Sequence, residues 1–545
     1  MSKGPTIELV SSQEVDQLLD RVRPRIEPAD FQLLERVIKS LKWIQEVIAL
    51  KNLTLSRLKR FIFGAQTEKT SNLVPTPPAG AAGSEAKPAD ASSPSSDSTT
   101  QQAGRPKRKG HGRNGVEDYP GAAHKTVAHQ QHRVGDPCPS CNKGKLHHLA
   151  DPGTIIHIVA QPIFAATIYD LEKLRCGLCG QLFTAKPPAE AGTQKYDPTV
   201  GSMNAVLCYG SGMPFYRIEK LQDSFGVPMP SSTQWELVEE VAQDAKPVFQ
   251  ELQWQAAQTN LIHVDDTGMS VLSLRQEIAK ESAEDSDSEP KRTGIFTTSI
   301  VAISGERRIA LYFTGRKYAG ENLNQLLKLR DPNLPPPILM CDALSRNLPE
   351  DFKIILANCN AHSRRGFADV VLNFPQECRF VLESLRDVYR NDAQCKEQRL
   401  SPEARLTFHQ EKSKLIMDKL HQWMDEQMEN KRVEPNSGLG QAIRYMRKHW
   451  QALTLFLRKA GAPLDNNVCE RSLKRAILHR KNSYHYKTSR GAEVGDLFMS
   501  LINTCEFQGV NPFDYLTALQ RNRQEVKAHP KNWLPWNYPK GSDTS

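Results

Sequence analysis

Residues 261–267 read L-I-H-V-D-D-T, an apolar, β-branched run that ends on a pair of acids. Its length and residue types predict a buried strand. Open α/β sheets carry their chemistry at the carboxyl ends of strands, where the buried run gives way to a polar tip. Asp265 and Asp266 therefore stand where a site would be. Alternation along a strand sends them to opposite faces, so Asp265 is the candidate and Asp266 its rival. Residues 337–342, P-I-L-M-C-D, repeat the pattern with Asp342 at the tip.

Outward from these two runs, 294–303 (G-I-F-T-T-S-I-V-A-I), 308–314 (R-I-A-L-Y-F-T) and 352–357 (F-K-I-I-L-A) also read as strands, with a helix near 319–330. Three strands, a helix, a strand, a further strand and then helices form a ribonuclease-H-like pattern. The acidic stretch 276–292, containing E-I-A-K-E-S-A-E-D-S-D-S-E-P, reads as a solvated hairpin loop. From 366 to 460 the pattern is polar and helical, with Leu382, Leu385, Leu415, Leu420, Trp423, Trp450 and Leu455 as packing positions.

A third acid stands further along, in P-L-D-N-N-V-C-E-R-S-L-K-R at 463–475. Asp465 suits a helix N-cap, since its short carboxylate can accept first-turn amides. Glu470 lies one helical turn beyond Asn466 and Asn467, which puts them on one face. Residues 471–490 then carry seven Lys or Arg (Arg471, Lys474, Arg475, Arg480, Lys481, Lys487, Arg490) and no acid. A solvated charged helix is the competing reading of this segment taken alone. Three acids from two strands and a helix could instead hold a pair of Mg²⁺ ions roughly 3.5–4 Å apart, with the basic face holding phosphates. Carboxylate oxygens suit Mg²⁺ better than His or Cys do. His362 and Arg365 would share a helix face after the last strand, there to approach a scissile phosphate, to orient an acid, or simply to cap and pack. Cys359 and His362 alone give no zinc site, because zinc usually takes four ligands.

The front half reads as recognition and assembly equipment. Leu34, Val37, Leu41, Ile44, Ile48, Leu55, Leu58 and Ile62 step by threes and fours, a heptad seam with Lys51 as its one polar entry. A coiled coil is expected, and an ordinary amphipathic helix competes with it. Residues 74–104 have a linker composition of Pro, Ala, Ser and Thr. After them R-P-K-R-K-G-H-G-R-N-G at 105–115 includes Arg105, Lys107, Arg108 and Lys109 and no acid, suiting a basic arm on a phosphate backbone. Cys138-Pro-Ser-Cys141 and Cys176-Gly-Leu-Cys179 are two C-x-x-C knuckles 34 residues apart, a spacing that favours a zinc ribbon with one structural Zn²⁺ over a small finger. A redox pair or free thiols is the alternative. Residues 201–245 look helical around a turn at Phe225–Pro228, with Ser231 or Ser232 starting a second helix. That arrangement suits a helix-turn-helix, or packing for the core.

In combination these motifs resemble the transposases of the insertion-sequence-sixty-six family, a bacterial group with a ribonuclease-H-like domain and an Asp-Asp-Glu triad. The resemblance rests on H-V-D-D-T-G at 263–268, C-N-A-H-S-R-R-G-F at 359–367, S-P-E-A-R-L at 401–406, G-Q-A-I-R-Y at 440–445 and L-D-N-N-V-C-E-R at 464–471. It continues in R-K-N-S-Y at 480–484 and L-I-N-T-C-E-F-Q-G-V-N-P-F-D-Y-L at 501–516, and upstream in R-L-K-R-F-I-F-G-A-Q-T-E-K at 57–69. It implies Asp265, Asp342 and Glu470 as the triad, Mg²⁺-dependent cleavage at inverted-repeat ends, strand transfer into target DNA, and accessory proteins of the same element. Two departures stand out. The family has Asp-Glu-Thr where this chain has Asp265-Asp266-Thr267, and its second acid precedes Gly and an aromatic, whereas Asp342 precedes Ala343-Leu344-Ser345.

The expected architecture is multidomain α/β. It comprises a helical, coiled-coil region at 1–73, a linker with basic arm at 74–118, a zinc ribbon at 119–195 and a helical region at 196–254. A ribonuclease-H-like domain follows at 255–520, with a helical insertion at about 366–460, and then a tail at 521–545. A net charge of +9 over 545 residues favours a polyanionic partner. No apolar run is long enough to span a membrane, and no signal segment is visible. Seven cysteines scattered outside the knuckles suit a reducing cytosol, here a bacterial cytoplasm and its nucleoid. The competing readings are a zinc-ribbon DNA-binding protein with an inactive core, and a nuclease without strand transfer.

Overall fold

The computed structural model describes residues 194–284 and 292–539 continuously, together with 131–141, 143–147, 163–175, 182–192 and the single positions 21, 22, 31, 127 and 155. The heptad seam at 34–62, the linker, the basic arm with Arg105, Lys107, Arg108 and Lys109, and the cysteines Cys176 and Cys179 lie outside the described residues. The chain divides into two compact units. The smaller takes in described residues from 127 to Ala245 together with Phe513–Arg523, and the larger takes in Lys246–Pro512 and Gln524 onward.

In the smaller unit the first cysteine pair sits in a tight reversal. The Cys138 amide donates to the Gly144 carbonyl (2.7 Å) and Gly135 to Leu146 (2.9 Å), with Pro137 bridged to Lys145. Two short strands, β1 (Lys173–Arg175) and β2 (Leu182–Thr184), pair antiparallel. Helix α1 (Pro198–Ala205) opens on Asp197, whose Oδ1 accepts the Thr199 amide at 2.9 Å, and Pro198 occupies the position where a missing N–H costs nothing. Helix α2 (Phe215–Ser224) ends before Gly226, whose φ of +73° is left-handed and suits glycine. Helix α3 (Ser231–Ala257) begins in this unit, and from Lys246 onward it belongs to the larger one. Phe164, Ile218 and Met229 form this unit's small core, and buried Gln222 donates to the Phe164 carbonyl at 3.1 Å.

In the larger unit β3 (Leu261–Gly268), helix α4 (Leu272–Glu284), β4 (Phe296–Ser304), β5 (Arg307–Gly315), α5 (Ala319–Leu327), β6 (Ile338–Cys341) and β7 (Ile355–Asn358) follow in order. The five strands make one mixed sheet in the order β5-β4-β3-β6-β7. The β4 strand is antiparallel to both β3 and β5, while β6 is parallel to β3 and β7 to β6. The central runs are buried on both faces: β6 is wholly apolar, and β4 buries Thr297, Thr298 and Ser299 as well as Ile300–Ala302. Of the solvated loop expected at 276–292, residues 276–284 lie in α4 instead. Leu, Arg, Gln, Glu, Ala and Lys are good helix formers, Ile278 anchors the helix at 8 % exposure, and Arg316 clasps Glu281 through two bonds of 2.8 and 3.0 Å.

Beyond β7 run α6 (Asn360–Val370), α7 (Pro375–Glu397), α8 (Pro402–Lys412), α9 (Lys414–Glu429) and α10 (Gly438–Lys448). Their core joins Phe367, Leu382, Leu385, Met417, Leu420 and Ile443, with Trp423, Trp450 and Leu455 packed against it. Leu415 departs from expectation at 61 % exposure, because the buried stripe of α9 runs through Met417, Leu420 and Met424 and leaves it outside. Two further helices, α11 (Asn467–Ser483) and α12 (Ser489–Phe507), return to the sheet. After 521 the stretch expected as a tail buries Trp533 and Leu534. Among the described residues no helix is long and apolar enough to cross a membrane.

Helix α12 closes the β5 edge. Asp496, Ser500 and Thr504 recur every four residues and accept the amides of Thr314 (2.5 Å), Tyr312 (3.0 Å) and Ala310 (3.1 Å). The match is geometric. Four helical residues rise about 6 Å and two strand residues about 6.8 Å, so one helix face can track the outward amides of an edge strand. Those amides would otherwise form an open pairing edge.

Candidate active site

The register of β3 on β6 brings the two strand acids together. His263 lies opposite Met340, so two residues further along each strand Asp265 and Asp342 reach the same level. Both are an even step beyond that pair and so leave the sheet on the same side. Glu470 comes from the first turn of α11, which packs across β3 and β4. Its placement is fixed from both sides. Asn466, fully buried, accepts at Oδ1 from His263 Nδ1 (3.0 Å), donates Nδ2 to the Val264 carbonyl (2.9 Å), and gives its backbone amide to Cys359 Sγ (3.2 Å). Cys469 Sγ donates to the Ser299 carbonyl on β4 at 3.2 Å.

Asn466, rather than the expected Asp465, occupies the N-cap position of α11, and it spends its side chain on the sheet. Asp465 acts from one residue earlier, accepting the Asn467 amide at 3.1 Å. Truncating Asn466 strands two buried partners, and an orphaned buried polar group costs about 1–3 kcal/mol. Asn466→Ala is therefore expected to lower unfolding stability by roughly that amount in a denaturant titration.

The electrostatics record the convergence. Burial, then the charges of Asp342, Glu470 and Asp266, push the Asp265 carboxyl up to about 7, against the opposing hydrogen bond from the Asp266 amide (2.9 Å). Burial also raises Asp266, although Arg346 Nη2 lies 2.8 Å from its Oδ1. Burial pushes His263 down to about 4, which keeps it neutral beneath the acids. Asp342 Oδ1 accepts from Asn347 Nδ2 and from the Leu344 amide (3.3 Å), which leaves Oδ2 as the oxygen to meet a cation. Glu470 Oε1 and His362 Nδ1 face each other at 3.6 Å, both shielded from solvent and neither in a hydrogen bond. Cys359 adjoins them, so that Sγ, Nδ1 and the carboxylate oxygen all lie within 4.8 Å of one another. A cleft of about 550 Å³ opens alongside, lined by Asp342, Leu344, His362, Asp369, Gln441 and Tyr445.

The donor atoms of Asp265, Asp342 and Glu470 are oxygens, the type a hard divalent cation prefers; Glu470 Oε1 lacks a hydrogen-bond partner, and burial, then the charges of Asp342 and Glu470, lifts Asp265.

Of the other residues singled out in the sequence, Arg365 is exposed on α6, and Arg471, Lys474 and Lys481 are exposed on α11. Arg475 is tied to Glu506 at 2.5 Å, and Arg480 donates to Thr267 Oγ1 (3.2 Å) and to the Gly268 carbonyl, so these two brace the fold. Of the cysteines, Cys138 is half-buried and Cys141 exposed, and amides of Lys143 and Gly144, then the Cys138 side chain, hold the Cys141 thiol below its ordinary range. Sequence reasoning passed over Arg346 and Asn347, whose polar S-R-N stretch begins three residues after Asp342 and was the available signal. It also passed over Glu470 as a neighbour of Cys359 and His362, for which no local signal exists.

Residues 195–494, just over half of the chain, match the family model described as "Transposase IS66 family", and all three acids fall inside the match. The chain is 30 % identical over 203 residues to "Uncharacterized protein y4hP" and 32 % identical over 187 residues to "Uncharacterized protein y4jD", both of Sinorhizobium fredii (strain NBRC 101917 / NGR234). These alignments cover 35 % and 34 % of this chain, and in each case the chain spans about a third (36 %) of the relative's own length.

Proposed function

Because this chain belongs to the IS66 family of transposases, we propose that its larger unit is a ribonuclease-H-like core that cuts DNA at the ends of an insertion element and joins the cut 3′ ends to a target. One observation carries the reading: two strand tips and a helix start bring Asp265, Asp342 and Glu470 close enough for the charges of Asp342 and Glu470 to raise the Asp265 carboxyl. The sheet order β5-β4-β3-β6-β7, antiparallel on one side and parallel on the other, supports the same fold.

In this reading Asp265, Asp342 and Glu470 hold Mg²⁺, which when bound acidifies the attacking water or 3′-hydroxyl and neutralises charge on the phosphate. The protein's own work is positional. Asp265 must lose its proton to serve, Asn466 holds the head of α11 against β3, and Arg346 neutralises Asp266 so that it does not compete. Exposed Arg471 and Lys474, just beyond Glu470, supply charge for the DNA backbone. The basic arm and the heptad seam would add non-specific DNA affinity and self-association, and partners encoded by the same element remain part of the proposal.

We also assign a structural Zn²⁺ to Cys138, Cys141, Cys176 and Cys179. The amides aimed at Cys141 are those that stabilise a thiolate ligand. Metal analysis of the purified chain is expected to show zinc, with Cys141→Ser holding one equivalent less.

The deciding assay incubates the chain with duplexes carrying the inverted repeats that flank its gene, plus Mg²⁺ and a target plasmid. Cleavage at the repeat ends with joining of the 3′ ends supports the reading. Cleavage without joining makes the protein a nuclease. Binding without cleavage in either Mg²⁺ or Mn²⁺ makes it a DNA-binding scaffold.

A further inference from the structure

We propose that Cys359, His362 and Glu470 form a second metal site, selective for thiophilic divalent cations such as Zn²⁺, that competes with the Mg²⁺ site for Glu470. The ligand atoms already lie within 4.8 Å of one another. His362 Nδ1 and Glu470 Oε1 stand 3.6 Å apart, each shielded from solvent and without a hydrogen bond. That separation is too long for a hydrogen bond. It is close to the distance two ligands adopt around one tetrahedral ion: with Zn–N and Zn–O bonds of about 2.0–2.2 Å the edge between them is roughly 3.4 Å.

Cys359 is fully buried, and its sulfur already accepts the Asn466 amide at 3.2 Å, the outer-shell bond that a metal thiolate needs. Cys359 and His362 lie three apart where β7 runs into α6, and Glu470 sits on the first turn of α11, so the site would pin two elements together. Three protein ligands leave a fourth position open. Binding displaces the thiol proton to solvent and forms one metal–sulfur bond, with no change of oxidation state.

The sequence alone argued against this site, since two ligands do not make one. The third comes from 108 residues beyond His362 (470 minus 362). Mg²⁺ has no use for sulfur and weak use for imidazole, whereas Zn²⁺ favours both. The two ions would therefore divide at Glu470: a thiophilic ion there takes the carboxylate that the triad requires. That inhibitory consequence rests on the transposase reading, but the binding does not.

The test is a Co²⁺ titration of the full chain, followed by optical absorption. Wild type, Cys359→Ser and His362→Gln are compared, so that any Co²⁺ on Cys138 and Cys141 is common to all three. Wild type is expected to bind one more equivalent with thiolate-to-cobalt charge-transfer absorption, and each substitution to weaken that equivalent by at least about a hundredfold, more than an outer-shell change costs. His362→Gln alters a half-exposed side chain and keeps the measurement decisive if Cys359→Ser disturbs the core. Identical titrations for all three proteins, or an extra equivalent that persists unchanged in His362→Gln, would overturn the site. Cleavage in Mg²⁺ alone tests the transposase reading separately. Where cleavage is present, low Zn²⁺ should suppress it in wild type and far less in Cys359→Ser.

Discussion

Asp265→Asn is expected to abolish end cleavage while leaving duplex affinity within about twofold of wild type. The substitution keeps the shape of the side chain and removes the one carboxylate on which the charges of Asp342, Glu470 and Asp266 all bear. Losing a ligand for the cation that stabilises the reacting phosphate should cost about 3 kcal/mol or more, a hundredfold or greater drop in cleavage rate. Affinity should persist because phosphate contacts dominate binding to DNA, and the exposed Arg471 and Lys474 are untouched. Glu470→Gln should behave alike. Asp342→Asn is the informative contrast, since one of its oxygens is already engaged by Asn347 and Leu344. Cleavage rates and gel-shift affinities measured on the same preparations check all three, and cleavage that survives Asp265→Asn would remove it from the triad.

The second large effect is on stability and has the opposite sign. Asp265 is raised from the ordinary 3.8 to about 7, so the folded protein holds a proton that the unfolded chain has already released. The stability associated with that proton is fully present below about pH 4, declines as pH rises, and is gone above about 7. In metal-free protein, Asp265→Asn should therefore be the more stable form at pH 8, by on the order of 2–4 kcal/mol, with the gain vanishing near pH 4. Asp496, also buried and raised to about 7, titrates in the same window but is common to both proteins and cancels in the difference. Mg²⁺ should restore wild type at pH 8 and do little for the variant. Urea titrations at the two pH values, with and without Mg²⁺, measure this directly. A variant no more stable than wild type at pH 8 would mean that Asp265 is ionised without strain.

What was legible in the sequence follows the physics of each segment. L-I-H-V-D-D-T and P-I-L-M-C-D announce buried strands because burial on both faces leaves only apolar residues, and the acids mark where that burial stops. Glu470 was legible through its helix start. Residues 276–284 were not, because charged helix formers and a solvated loop share a composition, and a single buried residue, Ile278, makes the difference. Asn466 read as a neighbour on the face of Glu470, yet it turns inward to the sheet, since only the packed fold supplies His263 and Val264 as its partners. The nearness of Cys359 to Glu470 is likewise a product of topology.

The closed β5 edge has a bearing on how the protein comes to be folded. The three side chains that cap it are 182, 188 and 194 residues away in sequence from the amides they receive. Pairings over such separations form slowly, since a long loop must close before the contact rewards it. During synthesis the sheet would wait with an open edge until α12 leaves the ribosome, and Glu470, on the helix just before, would join Asp265 and Asp342 at nearly the same moment. Assembly of the acids and sealing of the sheet thus become one late kinetic event, so a chain stalled before it would be both inert and prone to edge-to-edge aggregation.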